Sequence, residues 1–193
     1  MGRTRTWERD EVLAAASTVF HRKGFEATSL RDLEEATGLH AGSLYAAFDS
    51  KDGLFTAVLD HYGREVVATR LERFVSSASD EREGIRSLFR STFEDRPAPD
   101  PGCLVTNSAV ESPGLSTSAR AMVGVSLDAL RDAFRKIADH LTADRVRAER
   151  STEQLLALYQ GLLVLIRFGA DRPCLEAVVG AVDVLLDDLE ESS

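Results

Sequence analysis

The feature that most constrains this chain is the spacing of apolar residues in its first fifty positions, where three short stretches of helical period are each cut off by glycine or a polar turn. The first runs from about Glu8 to Lys23, with Val12, Ala16, Val19 and Phe20 along one stripe, and Gly24 stops it. The second opens at Ser29, whose hydroxyl can cap the amides of the first turn, and Asp32 is placed three residues on to answer as the partner of a capping box. Gly38 ends it. The third covers about His40 to Phe48, with Leu44 and Phe48 on one face and Ala41, Gly42, Tyr45 and Ala46 on the other. Leu44 and Phe48 are expected to seat on Val19, Phe20 and Leu33. Helix, tight glycine turn, helix is the plan of a helix-turn-helix DNA reader.

A fourth helix begins near Ser50-Lys51-Asp52 and is expected to run past Arg70, because Leu54, Phe55, Val58, Leu59, Tyr62, Val66 and Leu71 keep helical spacing. Further helices are predicted over about 81–95, 103–111, 116–141, 152–168 and 174–190. Pro97, Pro99 and Pro101 make the clearest break. With no strand period, no repeat and no low-complexity tract, the expected class is all-α with about nine helices: a helix-turn-helix domain over 1–50 and a helical domain over 51–193.

The last two helices are too apolar for ordinary surface helices. Leu155, Leu156, Leu158, Tyr159, Leu162, Leu163, Val164, Leu165 and Ile166 cover most of one circumference. In the next, Leu175, Val178, Val182, Leu185 and Leu189 form a stripe that Val179 and Leu186 widen. A second copy would cover these faces, with Gly161 and Gly180 allowing close approach; the open alternative is the core of a monomeric bundle.

Charge bears on the partner. The chain of 193 residues carries a net charge of −9, and seven basic against nine acidic residues lie before Gly53. Taken alone this favours a small molecule or a protein over nucleic acid. Placement points the other way: Arg3 and Arg5 form a basic tip, and Arg22, Lys23, Arg31 and Lys51 sit near the ends of the short helices. A non-specific architectural DNA binder is disfavoured, because such binding rests on overall basic charge. No apolar run approaches the roughly 18 residues of a membrane span, and the N-terminus lacks a leader-like apolar stretch. A cytoplasmic protein with no membrane partner is expected. The two cysteines, Cys103 and Cys174, lack metal-type spacing and are read as thiols, Cys174 as a core residue. His21, His40, His61 and His140 share no ligand-like spacing, and no glycine-rich phosphate loop or Gly-x-Ser-x-Gly elbow is present. No metal, cofactor or enzymatic activity is therefore expected.

The stretch Phe20…Gly24-Phe25…Thr28-Ser29-Leu30-Arg31-Asp32-Leu33…Gly38-Leu39-His40-Ala41-Gly42-Ser43-Leu44-Tyr45-Ala46-Ala47-Phe48-Asp49-Ser50-Lys51-Asp52-Gly53-Leu54-Phe55 closely resembles the N-terminal signature of the TetR/AcrR family of bacterial transcriptional regulators. The specific part is the joint occurrence of Thr-Ser before the second helix, Gly-Ser-Leu-Tyr-x-x-Phe in the third and Ser-Lys-x-x-Leu opening the fourth. The resemblance implies that 51–193 is a ligand-binding and dimerisation domain, with a homodimer joined by the last two helices, a double-stranded operator as partner, and a small-molecule inducer. It implies repression, with activation left open. Tyr45 and Lys51 match the family's phosphate contacts, and Thr28 and Ser29 are placed to donate to phosphate or merely to cap. Arg3, Arg5, Arg31, His40, Ala41, Gly42, Ser43 and Ala46 complete the expected DNA surface. Its small side chains suit thymine methyls and close approach but offer few bidentate base contacts, so part of the specificity is expected from DNA shape. Two departures stand out. His40 replaces the usual Ser, a better cap, and Glu34 replaces a small Ala; its carboxylate is expected to lie along the edge in water.

The resemblance also implies an inducer pocket among the central helices, with Tyr62, Val66, Phe89, Phe93, Cys103, Asn107, Met122, Ser126, Phe134 and Tyr159 as candidate lining. Plain core is the competing reading for each aromatic or methionine, and Asn107 and Ser126 supply the polarity. Cys103 follows Gly102 at the start of a helix, where free amides and the dipole favour an anion. It is read either as a sensor thiol for electrophiles or oxidants or as an inert buried cysteine.

Overall fold

The computed structural model of the chain describes residues 7–94 and 101–190, and among these there are helices and turns but no strand. In chain order they are α1 (Arg9–Ala27), α2 (Leu30–Thr37) and α3 (Ala41–Phe48). Next comes α4, which opens as Lys51–Tyr62 and runs on through π-helical Gly63–Ala68, an α-turn at Thr69–Leu71 and π-helical Glu72–Ser76. Then follow α5 (Glu81–Arg90), α6 (Leu104–Val110), a 3-10 turn (Ser112–Gly114), α7 (Thr117–Leu141), α8 (Arg145–Phe168) and α9 (Arg172–Glu190). Among the described residues this is the all-α, nine-helix arrangement that the apolar spacing predicts.

The first helix runs on past Gly24 to Ala27, and two boundaries differ further from that spacing. Helix α8 starts two turns before 152, because Asp144 caps it with Oδ1 accepting from the amides of Val146 and Arg147 at 2.9 and 3.2 Å. Its opening turns are polar and carry no apolar stripe to read. Helix α5 stops at Arg90 and not near 95, where Ser91 and Thr92 turn their hydroxyls onto the carbonyls of Leu88 and Phe89 at 2.8 and 2.7 Å and compete with the helical ladder.

The described residues fall into two compact units. One comprises residues up to Glu65 together with Cys103–Val125; the other comprises Val66 to Gly102 together with the chain from Ser126 onward. In the first unit α1 packs on α2, on α6 and on the Lys51–Tyr62 part of α4, which also receives α3. Its centre is aromatic: the Phe20 ring lies 4.8 Å from that of Phe55, and Phe25 lies 4.9 Å from Phe55. Phe20, Leu33, Leu44 and Leu54 are fully buried around it, as the stripe on α1 requires. Truncating a buried phenylalanine to alanine in such a centre costs about 3–5 kcal/mol. Gly53 lets the first turn of α4 close on the end of α3, since a Cβ there would stand 2.0 Å from the carbonyl oxygen of Phe48.

In the second unit α9 packs on α8 and α5, and α5 packs on Glu72–Ser76. Phe89, Phe134 and Tyr159 meet with ring centroids 5.1 to 6.2 Å apart, among buried Ile85, Leu88, Leu155, Leu162, Val182 and Leu186. Arg86 to Asp183 at 2.7 Å and Arg147 to Asp188 at 3.3 Å join α9 to α5 and α8. The apolar stripe of α9 divides by depth. Leu175, Val179, Val182, Leu186 and Leu189 are buried, whereas Val178 and Leu185 line an open groove with Ala181 and Val184 and with Ala157, Leu158, Gly161 and Leu165 of α8. Cys174 is not the core residue expected from its type: it is exposed, because the inward stripe of α9 begins one residue later at Leu175. No helix among the described residues is long and apolar enough to cross a membrane.

Candidate nucleic-acid interface

The turn that enters the helix pair is held by a chain of local bonds. Gly24 adopts φ +78°, breaking α1 before its last turn, and the Thr28 hydroxyl donates to the Gly24 carbonyl at 2.6 Å. Thr28 is buried, so its hydroxyl fixes the turn from inside. Ser29 then opens α2 with the expected capping box: its Oγ accepts from the Asp32 amide at 3.2 Å, and its own amide donates to Asp32 Oδ2 at 2.9 Å. Lys23, at 2.6 Å, and then the Ser29 amide and hydroxyl hold the Asp32 carboxyl well below the usual carboxylate range. Gly38, at φ +70°, ends α2 in the left-handed conformation that the sequence pattern predicts.

Helix α3 begins without help from His40, whose side chain makes no capping bond. Glu34 supplies it. Its Oε1 accepts from the Ala41 amide at 2.6 Å, so the carboxylate expected in water is turned back onto the start of α3. The reason is physical: the first amides of α3 need an acceptor, a carboxylate at a helix N-terminus is favourable, and an exposed imidazole at His40 does not provide one. The two departures from the family pattern thus compensate each other. Leu44 and Phe48 are buried as anchors, and the opposite face presents Gly42, Ser43, Tyr45 and Ala46 to solvent, Tyr45 with 42% of its surface exposed. His40 is exposed and Ala41 half-buried at the entrance to this face.

Lys51 opens α4 beside the same turn, its ammonium 3.5 Å from the Glu26 carbonyl and 4.6 Å from the centre of the Phe25 ring. Ser50 caps that helix, its Oγ accepting from the Gly53 amide at 3.0 Å. Arg31 is exposed and paired with Glu35 at 2.8 Å. Ser29, Arg31, Tyr45, Ala46 and Lys51 therefore lie on α2, α3 and the first turn of α4 within one compact unit, while Arg3 and Arg5 fall outside the described residues.

A residue that sequence reasoning missed braces the turn from far along the chain. Glu111, just after α6, accepts from the Phe25 amide through Oε2 at 2.8 Å, and its carboxylate lies where a Cβ on Gly24 would be, 2.1 Å from Oε1. No local signal marks it, since its partner is 86 residues earlier.

The expected inducer residues divide between the units. Tyr62, Cys103, Asn107 and Met122 belong to the first; Val66, Phe89, Phe93, Ser126, Phe134 and Tyr159 belong to the second. Among them the structure brings Phe89, Phe134 and Tyr159 together, and it sets the Tyr62 hydroxyl 3.8 Å from Cys103 Sγ as a donor. Asn107 and Ser126 are buried, and Cys103 is half-buried. Among the described residues no cluster of His, Cys, Asp and Glu is arranged to hold a metal ion.

Comparison with known proteins agrees with this geometry. Residues 12–58 match the model of bacterial regulatory proteins of the tetR family. The HTH-type transcriptional repressor ComR of Escherichia coli K12 is 34% identical over 195 residues, which cover 93% of this chain and 89% of ComR. The repressor BdcR of the same organism is 43% identical over 67 residues, about a third of each chain. Among solved structures, a TetR-family regulator from Cytophaga hutchinsonii superposes with a TM-score of 0.82 at 23% identity, over 93% of both chains. A cysteine mutant of the TetR-family regulator CifR, solved on a 26-base-pair double-strand operator DNA, superposes with a TM-score of 0.77 at 29% identity, over 96% of this chain and 98% of that one. By its helix pair, its fold and its full-length relative, the chain belongs to the tetR family of bacterial transcriptional regulators.

Proposed function

We propose that this regulator is a cytoplasmic repressor which binds a roughly palindromic operator as a homodimer and is released by a small, largely apolar inducer. The observation that carries the DNA half is the outward face of α3. It is exposed, stripped of bulk at Gly42, Ser43 and Ala46, and framed by Tyr45 and Lys51, while its inward face is anchored by Leu44 and Phe48. Such a helix enters a major groove closely, reading shape and methyl groups, with Ser29, Tyr45 and Lys51 on phosphates and Arg3 or Arg5 in the adjacent minor groove. The names of ComR and BdcR as repressors, and the operator-bound CifR structure, support this reading.

Dimerisation is supported by the open groove of α8 and α9, where Val184 stays 69% exposed and a side chain on Gly161 would meet nothing within 4 Å, and by Val164 of α8, which is 48% exposed. Two copies joined there would place two α3 helices in successive major grooves about 34 Å apart. An inducer site among the middle helices rests on membership of the family; Phe89, Phe134 and Tyr159 themselves pack on one another with at most 5% of their surface exposed, as core. The protein acts by differential binding, not turnover. A second reading, sensing of electrophiles at Cys103, is favoured by the position of this half-buried thiol at the start of α6, with the Tyr62 hydroxyl donating toward its sulfur at 3.8 Å.

The test is binding to operator fragments selected from genomic DNA, followed by fluorescence anisotropy. Lys51→Ala is expected to weaken binding to every sequence and to lower the salt slope by about 1, and Tyr45→Phe to weaken it without changing sequence preference. Unchanged affinity in both variants would mean that another face meets DNA. Release by an electrophile that survives Cys103→Ser would remove the second reading.

A further inference from the structure

We infer that the second unit carries an oxyanion site, built by the tail of α4 and by α5, which takes a small organic molecule through a carboxylate or phosphate group. The site is separate from the aromatic cluster and from the face assigned to DNA. A cavity of about 610 Å³ is lined by Arg70, Arg73 and Arg90, by Glu83 and Glu94, and by Thr69, Phe74, Ser87 and Ser91.

The pairing of its charges points to an anion. Seven arginines of this unit are half-buried: Arg70, Arg82, Arg86, Arg90, Arg131, Arg135 and Arg147. Six of them hold a carboxylate, on Asp187, Asp183, Glu176, Glu153, Glu149 and Asp188 respectively from Arg82 onward. Arg70 is the exception among the described residues. Its guanidinium donates to the Ser91 hydroxyl at 2.6 Å and the Leu88 carbonyl at 3.4 Å, both neutral, and its Nε is buried without an acceptor. Arg90 gives one nitrogen to Glu176 at 3.4 Å, and its Nε is likewise buried without an acceptor. Arg73 stands one helical turn from Arg70 and lies over the Phe74 ring at 4.9 Å, with no carboxylate partner among the described residues.

The carboxylates that face the cavity are already engaged. Glu83 is held by Arg86 at 2.8 Å, and Arg86 followed by Ser87 lowers its pKa. Glu94 lies 3.6 Å from Arg172. In a chain with 32 acidic and 23 basic residues, an uncompensated arginine pair at i and i+3 beside a third guanidinium is a local reversal of sign. Like charges so placed repel, and an anion among them relieves that repulsion. Guanidinium forks match the planar geometry of carboxylate and phosphate oxygens. The volume exceeds that of a bare ion and falls within the range of about 300–1,000 Å³ typical of organic ligands, with Phe74 offering an apolar wall.

The full-length protein is titrated with inorganic phosphate and, separately, with benzoate, each against sodium chloride at matched ionic strength, following melting temperature and binding heat. One or both probes are expected to bind and, at about 100 times Kd, to raise the melting temperature by roughly 5–10 °C. The tighter of the two identifies the head group. Arg70→Gln and Arg73→Gln are each expected to weaken that probe at least about tenfold, while Arg150→Gln, on the exposed surface of α8, leaves it unchanged. Arg73 is itself exposed, so its variant folds even where the Arg70 variant does not. Absence of any binding beyond that of chloride, or equal affinity in wild type and Arg73→Gln, overturns the inference. Neither readout involves DNA, so failure here leaves the DNA-binding proposal untouched.

Discussion

Removing the brace at Glu111 tests whether the entry to the helix pair is held from the middle of the chain. The Glu111→Ala variant leaves the part-buried Phe25 amide, now 2.8 Å from Oε2, without its acceptor, at a cost of about 1–2 kcal/mol for a group that water reaches incompletely. Gly24→Ala acts through the same bond by a different route. Its backbone, at φ +78° and ψ 173°, lies in a region essentially reserved to glycine and costs an L-residue about 1–3 kcal/mol. Its new Cβ would also clash with Glu111 Oε1, so the carboxylate must leave and the Phe25 bond is lost as well, for a total of about 2–5 kcal/mol. With the carboxylate already expelled, adding Glu111→Ala to Gly24→Ala should cost almost nothing. The expected coupling is therefore about 1–2 kcal/mol, equal to the single effect of Glu111→Ala. Urea titrations of the wild type, both single variants and the double variant measure it, and amide exchange at Phe25 reports the local event. Additivity to within about 0.5 kcal/mol would refute the shared-bond argument. Glu111→Gln keeps an acceptor and should retain more stability than Glu111→Ala, though less than the charged acceptor.

Two further outcomes follow from other parts of the fold. Val184→Asp, placing charge in the lining of the α8 and α9 groove, should convert the proposed dimer to monomer in sedimentation at micromolar concentration and abolish tight operator binding; a wild type that is already monomeric at that concentration would refute the dimer. His140 is paired with Glu81, which raises its pKa above the ordinary value, so the pair stabilises the fold fully below the unfolded pKa of about 6.5 and loses that contribution as pH rises through the folded value. His140→Gln should therefore lower the melting temperature more at pH about 5.5 than at pH about 8.5, and an equal effect at both would show that the pair carries no linkage.

How much of this was legible in the sequence depends on the range of each interaction. The capping box of Ser29 and Asp32, the stop at Gly38 and the two faces of α3 are set within one or two helical turns, so residue type and spacing were sufficient to place them. Cys174 shows where that sufficiency ends: its type favours burial, but the phase of α9 is set by its contacts with α8 and α5, and the stripe begins one residue later. The split of the α9 stripe into a buried edge and an open edge is likewise invisible to periodicity, which records that residues are apolar and not what covers them. Glu34 illustrates the intermediate case. Its oddity was readable, but its role was not, because the bond to the Ala41 amide spans the turn and exists only once α2 and α3 take their mutual angle. That bond also bears on DNA recognition. A carboxylate seated at the start of α3 offsets the positive end of that helix, so in the proposed complex affinity for phosphate there is expected from side chains such as Tyr45 and Lys51 more than from the helix terminus itself.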